Sequence, residues 1–351
     1  MNVTVNRDSP LHGAGSADVS SSLWDPWTPV VIGGERPDAS EGRGLPTFRR
    51  RHSLRHAGST KDAMARLRGG PDPLRTDRRF ASQLRRVEPA FRALVSRIPL
   101  QASSPLPPDW LRCEMLERYL LLRHAPLGSV RTVLEVGAGG HAISTVPLAH
   151  LVGANGRVLA AERRRWSQFG EVTRASGLAE RIRPVACDAR RLPVREGALD
   201  LAACVHGLRS LPNDETATEV FREMLRAARR VFLAESLPIA LTAAQHAHLT
   251  MYNLREEVFR ATTGRLDDVH YRPLEAIATL VEAAGGVVET SLTFDVDLPH
   301  ALAYFPRELA ESVPNPLDRT SLAARWDEAA VALSRFGEDH PPVGVVVARP
   351  R

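Results

Sequence analysis

Eleven consecutive residues, Thr132 to Ala142, constrain this chain more than any other stretch: T-V-L-E-V-G-A-G-G-H-A. Apolar, strand-favouring residues surround one carboxylate, and a glycine cluster then opens an apolar, helix-periodic segment. The pattern predicts a buried strand turning sharply into a helix. Gly137, Gly139 and Gly140 permit positive φ and close approach of a ligand to the backbone, and the free N–H groups of the following helix favour polar or anionic ligand groups. A nucleotide-like ligand suits such a turn.

Two ligand classes fit. Gly137 to Ala142 satisfies the dinucleotide pattern G-x-G-x-x-G/A, and an acid, Glu162, follows about 20 residues on, as a nicotinamide site requires. Glu135 favours the other class, because a carboxylate at the end of an apolar strand is costly to bury unless it meets a partner such as a cationic ligand group. On Glu135, Gly137 and Gly139 the chain resembles the class I S-adenosylmethionine-dependent methyltransferases, whose first motif is an acid, one residue, then G-x-G-x-G. His141 stands where the third glycine of that motif falls, with Gly140 just before it.

Further strands continue the pattern. Arg157 to Ala161 runs into Glu162, Ile182 to Cys187 into Asp188-Ala189, Leu199 to Cys204 into Val205-His206-Gly207-Leu208-Arg209, and Val231 to Ala234 is the fifth. Glu135, Glu162 and Asp188 thus end three successive strands, whose ends share one edge of a parallel sheet, where open α/β folds bind ligands. A carboxylate at Glu162 can accept two hydrogen bonds from vicinal ribose hydroxyls in either ligand class. Cys187-Asp188-Ala189-Arg190-Arg191-Leu192-Pro193-Val194 followed by Ala198-Leu199-Asp200-Leu201 resembles the methyltransferase signature G-D-A-x-x-L-P-F … F-D-x-V. Val205 to Leu211 and Phe221 to Arg226 resemble segments of the ubiquinone/menaquinone biosynthesis (type 11) group, although the K-P-G-G turn before the fifth strand is replaced by Ala227 to Arg230. The resemblance covers about residues 130–240. It implies S-adenosylmethionine as cofactor, with Asp188 on the adenine amino group and Ala189 offering its backbone. The expected cofactor-binding set is Glu135, Gly137, Ala138, Gly139, Gly140, Glu162, Arg163, Asp188, Ala189 and Val205. Asp200 has a competing reading as a residue that fixes a neighbouring turn.

The expected fold is α/β: a doubly wound, Rossmann-like sheet of seven strands with a reversed last strand, a helical N-terminal cap, and a helical insertion before the last strand. Residues 1–60, rich in Gly, Ser, Pro and Arg without sustained periodicity, read as a disordered tail. Residues 61–104 read as a basic linker and an amphipathic helix carrying Phe80, Leu84, Val87, Phe91, Leu94 and Ile98. That helix would cap the domain or pair with a second copy in a homodimer. The methyltransferase domain is expected over 105–351, opening with a helix from Asp109 to His124. A lid at about 236–272 carries Gln245, His248, Tyr252 and Arg255 near helical spacing, as a pocket-facing polar stripe or a solvated face, and also holds His270. The insertion spans about 298–339, as a second pocket wall or an oligomer contact.

Charge is uneven: residues 43–90 carry 13 basic and 4 acidic side chains, whereas residues 91–351 carry 31 of each. Lys61 is the only lysine. Three cysteines, Cys113, Cys187 and Cys204, lack metal-binding spacing, so neither disulfides nor a metal site is expected. The absence of a long apolar run or a leader pattern reads as a cytoplasmic protein with no membrane span.

Three functions compete: a methyltransferase acting on a small molecule at oxygen or carbon, one acting on nucleic acid or protein, and a nicotinamide enzyme or non-catalytic adenosyl-binding module. The nucleic-acid reading has only the basic segment behind it, since no D/N-P-P-Y/F follows the fourth strand. His206, with a pKa near neutrality, is the candidate to orient or deprotonate an acceptor, against a histidine packed beside the cofactor without proton transfer. His206, Arg209, His248, Tyr252 and His270 form the candidate acceptor site.

Overall fold

The computed structural model describes residues 30–31, 78–98, 110–163, 168–263, 271–298 and 305–351. Its centre is one twisted sheet built on strands that are nearly continuous apolar runs, as strands covered on both faces must be. They are β1 (Val30–Val31), β2 (Thr132–Val136), β3 (Arg157–Glu162), β4 (Ile182–Ala186), β5 (Leu199–Val205), β6 (Ala228–Ser236), β7 (Gly286–Phe294) and β8 (Val343–Pro350). The order is β1-β4-β3-β2-β5-β6-β8-β7, parallel except at β8, which runs antiparallel to both β6 and β7. Seven strands with a reversed last strand are as expected. The two-residue β1, beside β4 through Val30–Val185 and Val31–Ala186, adds an edge. Apart from that pair the tail lies outside the described residues, as do Trp24, Trp27 and the arginine run at 49–51.

Alternation along the strands separates two apolar layers. Val133, Val158, Ala203, Phe232 and Val345 face helices α1 (Arg78–Arg86), α2 (Pro89–Arg97), α3 (Trp110–Leu122), α4 (Thr145–Leu151) and α5 (Phe169–Ser176). Leu134, Ala202, Leu233 and Val346 face α6 (Asp214–Ala227) and α8 (Leu274–Ala283). The last described helices are α7 (Ala243–Thr263), α9 (Arg307–Glu311) and α10 (Pro316–Phe336).

Three details differ from the sequence reading or decide between its alternatives. The expected single helix from Phe80 to Ile98 is two, because the chain breaks at Val87-Glu88 and Pro89, which lacks an N–H, starts α2. Both pieces pack on the domain: Phe91 is fully buried and stacks on Tyr119 at 3.9 Å between ring centroids, Glu88 accepts from the Tyr119 hydroxyl at 3.1 Å, and Arg79 forks onto Asp339 at 2.9 and 2.7 Å. The insertion covers the lid rather than the sheet, since Leu322, Trp326, Ala329 and Leu333 of α10 form a third apolar cluster with Met251, Leu254 and Val258 of α7. Among the described residues no helix is long and apolar enough to cross a membrane.

Candidate active site

The turn after β2 takes the shape its glycines allow: Gly137 has φ 78° and Gly139 φ 67°. Gly207, after β5, faces it so closely that a Cβ there would lie 2.8 Å from Cys204 Sγ and 3.4 Å from the Val136 carbonyl. Between these turns and the ends of β3 and β4 lies a cavity of about 500 Å³, with Gly137, Glu162, Arg163, Asp188, Ala189 and Arg190 among its lining residues. Cys204, Gly207, Leu211, Pro212 and Thr216 form the opposite wall.

The expected cofactor residues divide by place. Gly137, Glu162, Arg163, Asp188 and Ala189 line the cavity. Ala138, Gly139 and Gly140 shape the turn: the Ala138 N–H donates to the Ala161 carbonyl, Gly139 N–H to Glu162 Oε2 at 3.2 Å, and the Gly140 carbonyl accepts from Gln168 N–H. Glu162 Oε1 accepts from Arg163 N–H at 2.8 Å, so the acid that would hold a ribose also braces the glycine turn. Val205 is buried in β5, paired with Ala234. Asp188 is gripped by Arg190, whose Nη2 and Nε stand 2.7 and 3.1 Å from its carboxylate oxygens. That bond holds the Asp188 carboxyl below its usual range, and Arg190 is a wall residue the sequence did not single out. Burial pushes the neighbouring Cys187 thiol up to about 12, with Asp188 and Glu162 adding to the shift.

Glu135 is 1% exposed, and its carboxyl is bonded by the Ser144 and Thr145 hydroxyls at the start of α4. Burial pushes it up to about 7, those hydroxyls pull it down, and the Glu162 charge raises it further. A buried carboxyl of this kind next to a glycine turn fits a ligand bearing a cationic amine, and the two acids on the rim fit hydroxyl and amino donors. These residues therefore suit an adenosyl ligand with a cationic tail. Asp200 takes the structural alternative: its Oδ2 accepts from the N–H groups of Arg131 and Thr132 and from the Thr132 hydroxyl, tying β5 to β2.

Of the wall residues Cys204 and Gly207, the second is preceded by His206, which does not line the cavity. His206 has φ 54°, a left-handed conformation a branched-free polar residue tolerates at a cost, and its ring is buried. Nε2 lies 2.8 Å from Glu117 Oε1, and Nδ1 lies 3.3 Å from Glu235 Oε1 and 3.2 Å from Ser236 Oγ. Burial is the largest influence and opposes the imidazolium, but the Glu117 charge and the hydrogen bonds to Glu117 and Glu235 together outweigh it, and the His206 pKa is raised. Arg209 sends its N–H to Glu235 Oε2 at 3.0 Å. The lid stripe faces inward, which overturns the solvated-face alternative: Gln245 Nε2 donates to the His340 carbonyl at 3.0 Å, His248 Nδ1 meets Glu338 at 2.8 Å, and Tyr252 stacks with Arg255 and lies 5.0 Å from the Tyr271 ring. His270 lies outside the described residues. Glu114, Glu117 and Arg118 of α3, Glu235 and His340 were not foreseen. The one local signal is that α3, W-L-R-C-E-M-L-E-R-Y-L-L-L, has too few polar residues for a solvated face, so its charges had to meet partners inside.

No known sequence family and no curated protein matches the chain. Solved structures do. A cyclopropane-fatty-acyl-phospholipid synthase-like protein from Lactobacillus casei is 14% identical and superposes over 75% of this chain and 100% of its own, with a TM-score of 0.59. The mitomycin 7-O-methyltransferase MmcR (16% identity, 68% of this chain and 54% of that chain, TM-score 0.45) and geranyl diphosphate methyltransferase in complex with S-adenosylmethionine (16%, 68% and 86%, 0.43) are also similar. The fold is the Rossmann-like fold of class I S-adenosylmethionine-dependent methyltransferases.

Proposed function

We propose that this chain transfers a methyl group from S-adenosylmethionine to a small-molecule acceptor, at oxygen or carbon. The observation that carries the reading is one cavity with a positive-φ glycine turn on one side, Glu162 and Asp188 on its rim, and the buried Glu135, held by Ser144 and Thr145, behind the turn. In this reading Glu162 accepts from the ribose hydroxyls, Asp188 shares its carboxylate between Arg190 and the adenine amino group, and Glu135 faces the cationic amine. The likeness of residues 187–201 to the class I signature, and of Val205 to Leu211 and Phe221 to Arg226 to the type 11 group, supports the same cofactor.

Methyl transfer from a sulfonium is an in-line displacement, so the protein contributes chiefly by positioning the acceptor and excluding water. The acceptor side is assigned to the largely buried polar cluster of His206, Arg209, His248, Tyr252 and Tyr271 beside the Cys204 and Gly207 wall. Enclosed polar groups among apolar helices suit a compact acceptor better than a duplex. Calorimetry with S-adenosylmethionine, S-adenosylhomocysteine, NAD and NADP tests the cofactor: the two adenosyl sulfur compounds bind and the dinucleotides do not. Tight NAD or NADP binding alone would refute the reading. With labelled S-adenosylmethionine, single-stranded RNA takes up no methyl group. Salt-sensitive labelling of RNA that disappears on deleting residues 43–90 would move the acceptor to the nucleic-acid class.

A pH dependence follows from Glu135. Below pH about 7 its carboxyl holds a proton in the ligand-free protein, and an adjacent cation favours the ionised form. Binding therefore releases a proton, and affinity rises by up to about tenfold per pH unit until the pH passes about 7. The folding linkage has the opposite sense for the ligand-free protein: a raised carboxyl pKa means that stability falls as pH rises from 4.5 toward 7. Calorimetry in buffers of different ionisation enthalpy reads the released proton. Glu135→Gln should abolish it, and an unchanged release in that variant would assign the proton elsewhere.

A further inference from the structure

Three side chains far apart in sequence turn one atom each toward a common point. Glu117 Oε1 on α3 lies 2.8 Å from His206 Nε2 after β5 and 3.5 Å from His340 Nε2 ahead of β8, and the three atoms lie within 4.8 Å of one another. Imidazole and carboxylate ligands at about 2.0–2.2 Å from a shared ion stand roughly 3.0–3.5 Å apart in tetrahedral or octahedral geometry. The spacings from Glu117 to the two imidazoles, 2.8 and 3.5 Å, bracket that requirement, and the two imidazole nitrogens lie within 4.8 Å of each other.

The far atom of each side chain is already held. His340 Nδ1 donates to the Pro341 carbonyl at 2.7 Å, which fixes the proton there and aims Nε2 inward. His206 Nδ1 is placed against Glu235 Oε1 and Ser236 Oγ, and Glu117 Oε2 pairs with Arg118. Outer partners of this kind orient metal-ligating imidazoles and carboxylates. All three side chains are at most 4% exposed.

We propose that Glu117, His206 and His340 form a binding site for a first-row divalent transition ion. Two imidazoles and one carboxylate suit Zn²⁺, Co²⁺ or Fe²⁺, whereas Mg²⁺ and Ca²⁺ prefer oxygen ligands. Three protein ligands leave coordination open, the pattern of ions that contact a reactant rather than only brace a fold. His206 is one residue from Gly207 and two from Cys204, both of which line the cavity, so the site adjoins the proposed acceptor side. The assignment stands apart from the choice of cofactor.

The test uses the full-length, untagged chain after chelator treatment, titrated with Co²⁺ and followed by visible absorption, with Zn²⁺ content measured on the untreated protein. One ion per chain is expected, with an absorption band that His340→Gln and Glu117→Gln weaken by at least about 100-fold in affinity, and that His150→Ala leaves as in the parent. Metal should also raise the melting temperature of the parent but not of the two ligand variants. S-adenosylhomocysteine calorimetry on the same preparations verifies that each variant is folded and bears separately on the cofactor reading. If neither variant folds, the zinc-edge X-ray absorption spectrum of the parent decides, and a nitrogen and oxygen shell with two imidazoles supports the site. Folded parent protein that takes up no Co²⁺ overturns the proposal and marks instead a protonated His206 bridging Glu117 and Glu235. Equal Co²⁺ affinity in the parent and both ligand variants overturns it as well, by placing the metal elsewhere.

Discussion

Glu162→Ala is expected to lower the affinity for S-adenosylmethionine by about a hundredfold or more. The carboxylate stands at the cavity rim at the end of β3, and two ribose hydroxyls donating to it contribute about 1.5–3 kcal/mol each, as hydrogen bonds to a charged group do. Glu162 also accepts from the N–H groups of Gly139 and Arg163, so its loss loosens the glycine turn in the same stroke. Glu162→Gln separates the two contributions, because it keeps an oxygen acceptor for the turn but weakens the ribose contact. Calorimetry gives the affinities and a melting curve verifies the fold. Unchanged affinity in a folded Glu162→Ala protein would remove this edge as the cofactor site.

Phe91→Ala is expected to cost about 3–5 kcal/mol of folding stability, the usual range for deleting a fully buried aromatic ring. Phe91 belongs to the same apolar layer as the sheet residues Val133 and Val158, and it is stacked on Tyr119 of α3 with an interplanar angle of 19°. Removing it strips the face of Tyr119 and leaves the bonds among Glu88, Tyr119 and His150 without their packing support. Denaturant unfolding measures the loss. A cost below about 1 kcal/mol, within the range of surface substitutions, would mean that α1 and α2 are an arm detachable from the domain.

These two expectations rest on very different amounts of sequence information. The Glu162 site could be read almost entirely from local pattern. A strand ending in an acid, a glycine turn with the right spacing and two further acids ending later strands are features of short segments, and parallel pairing brings such ends to one edge. The two cap helices were half legible: the four-and-three spacing from Phe80 to Ile98 showed the buried face, and packing settled that it faces its own domain. Pro89 marked the break between them, but the apolar spacing continues across it and conceals it.

What the sequence by itself determined was the order of elements, which follows from periodicity and turn chemistry within about twenty residues, and, through the resemblance to the methyltransferases, the reversed last strand and the sheet edge proposed for the ligand. What only the tertiary structure decided was the buried polar cluster. Glu117 and His206 are 89 residues apart and His248 and Glu338 are 90 apart, so no local pattern joins them, and each alone reads equally well as a solvated or a buried group. Enclosing them forces a choice of partners, because a charge removed from water must find an opposite charge, a proton or a metal ion. That requirement redirected His206 from the cavity into the acid cluster, and turned the lid stripe of Gln245, His248 and Tyr252 inward.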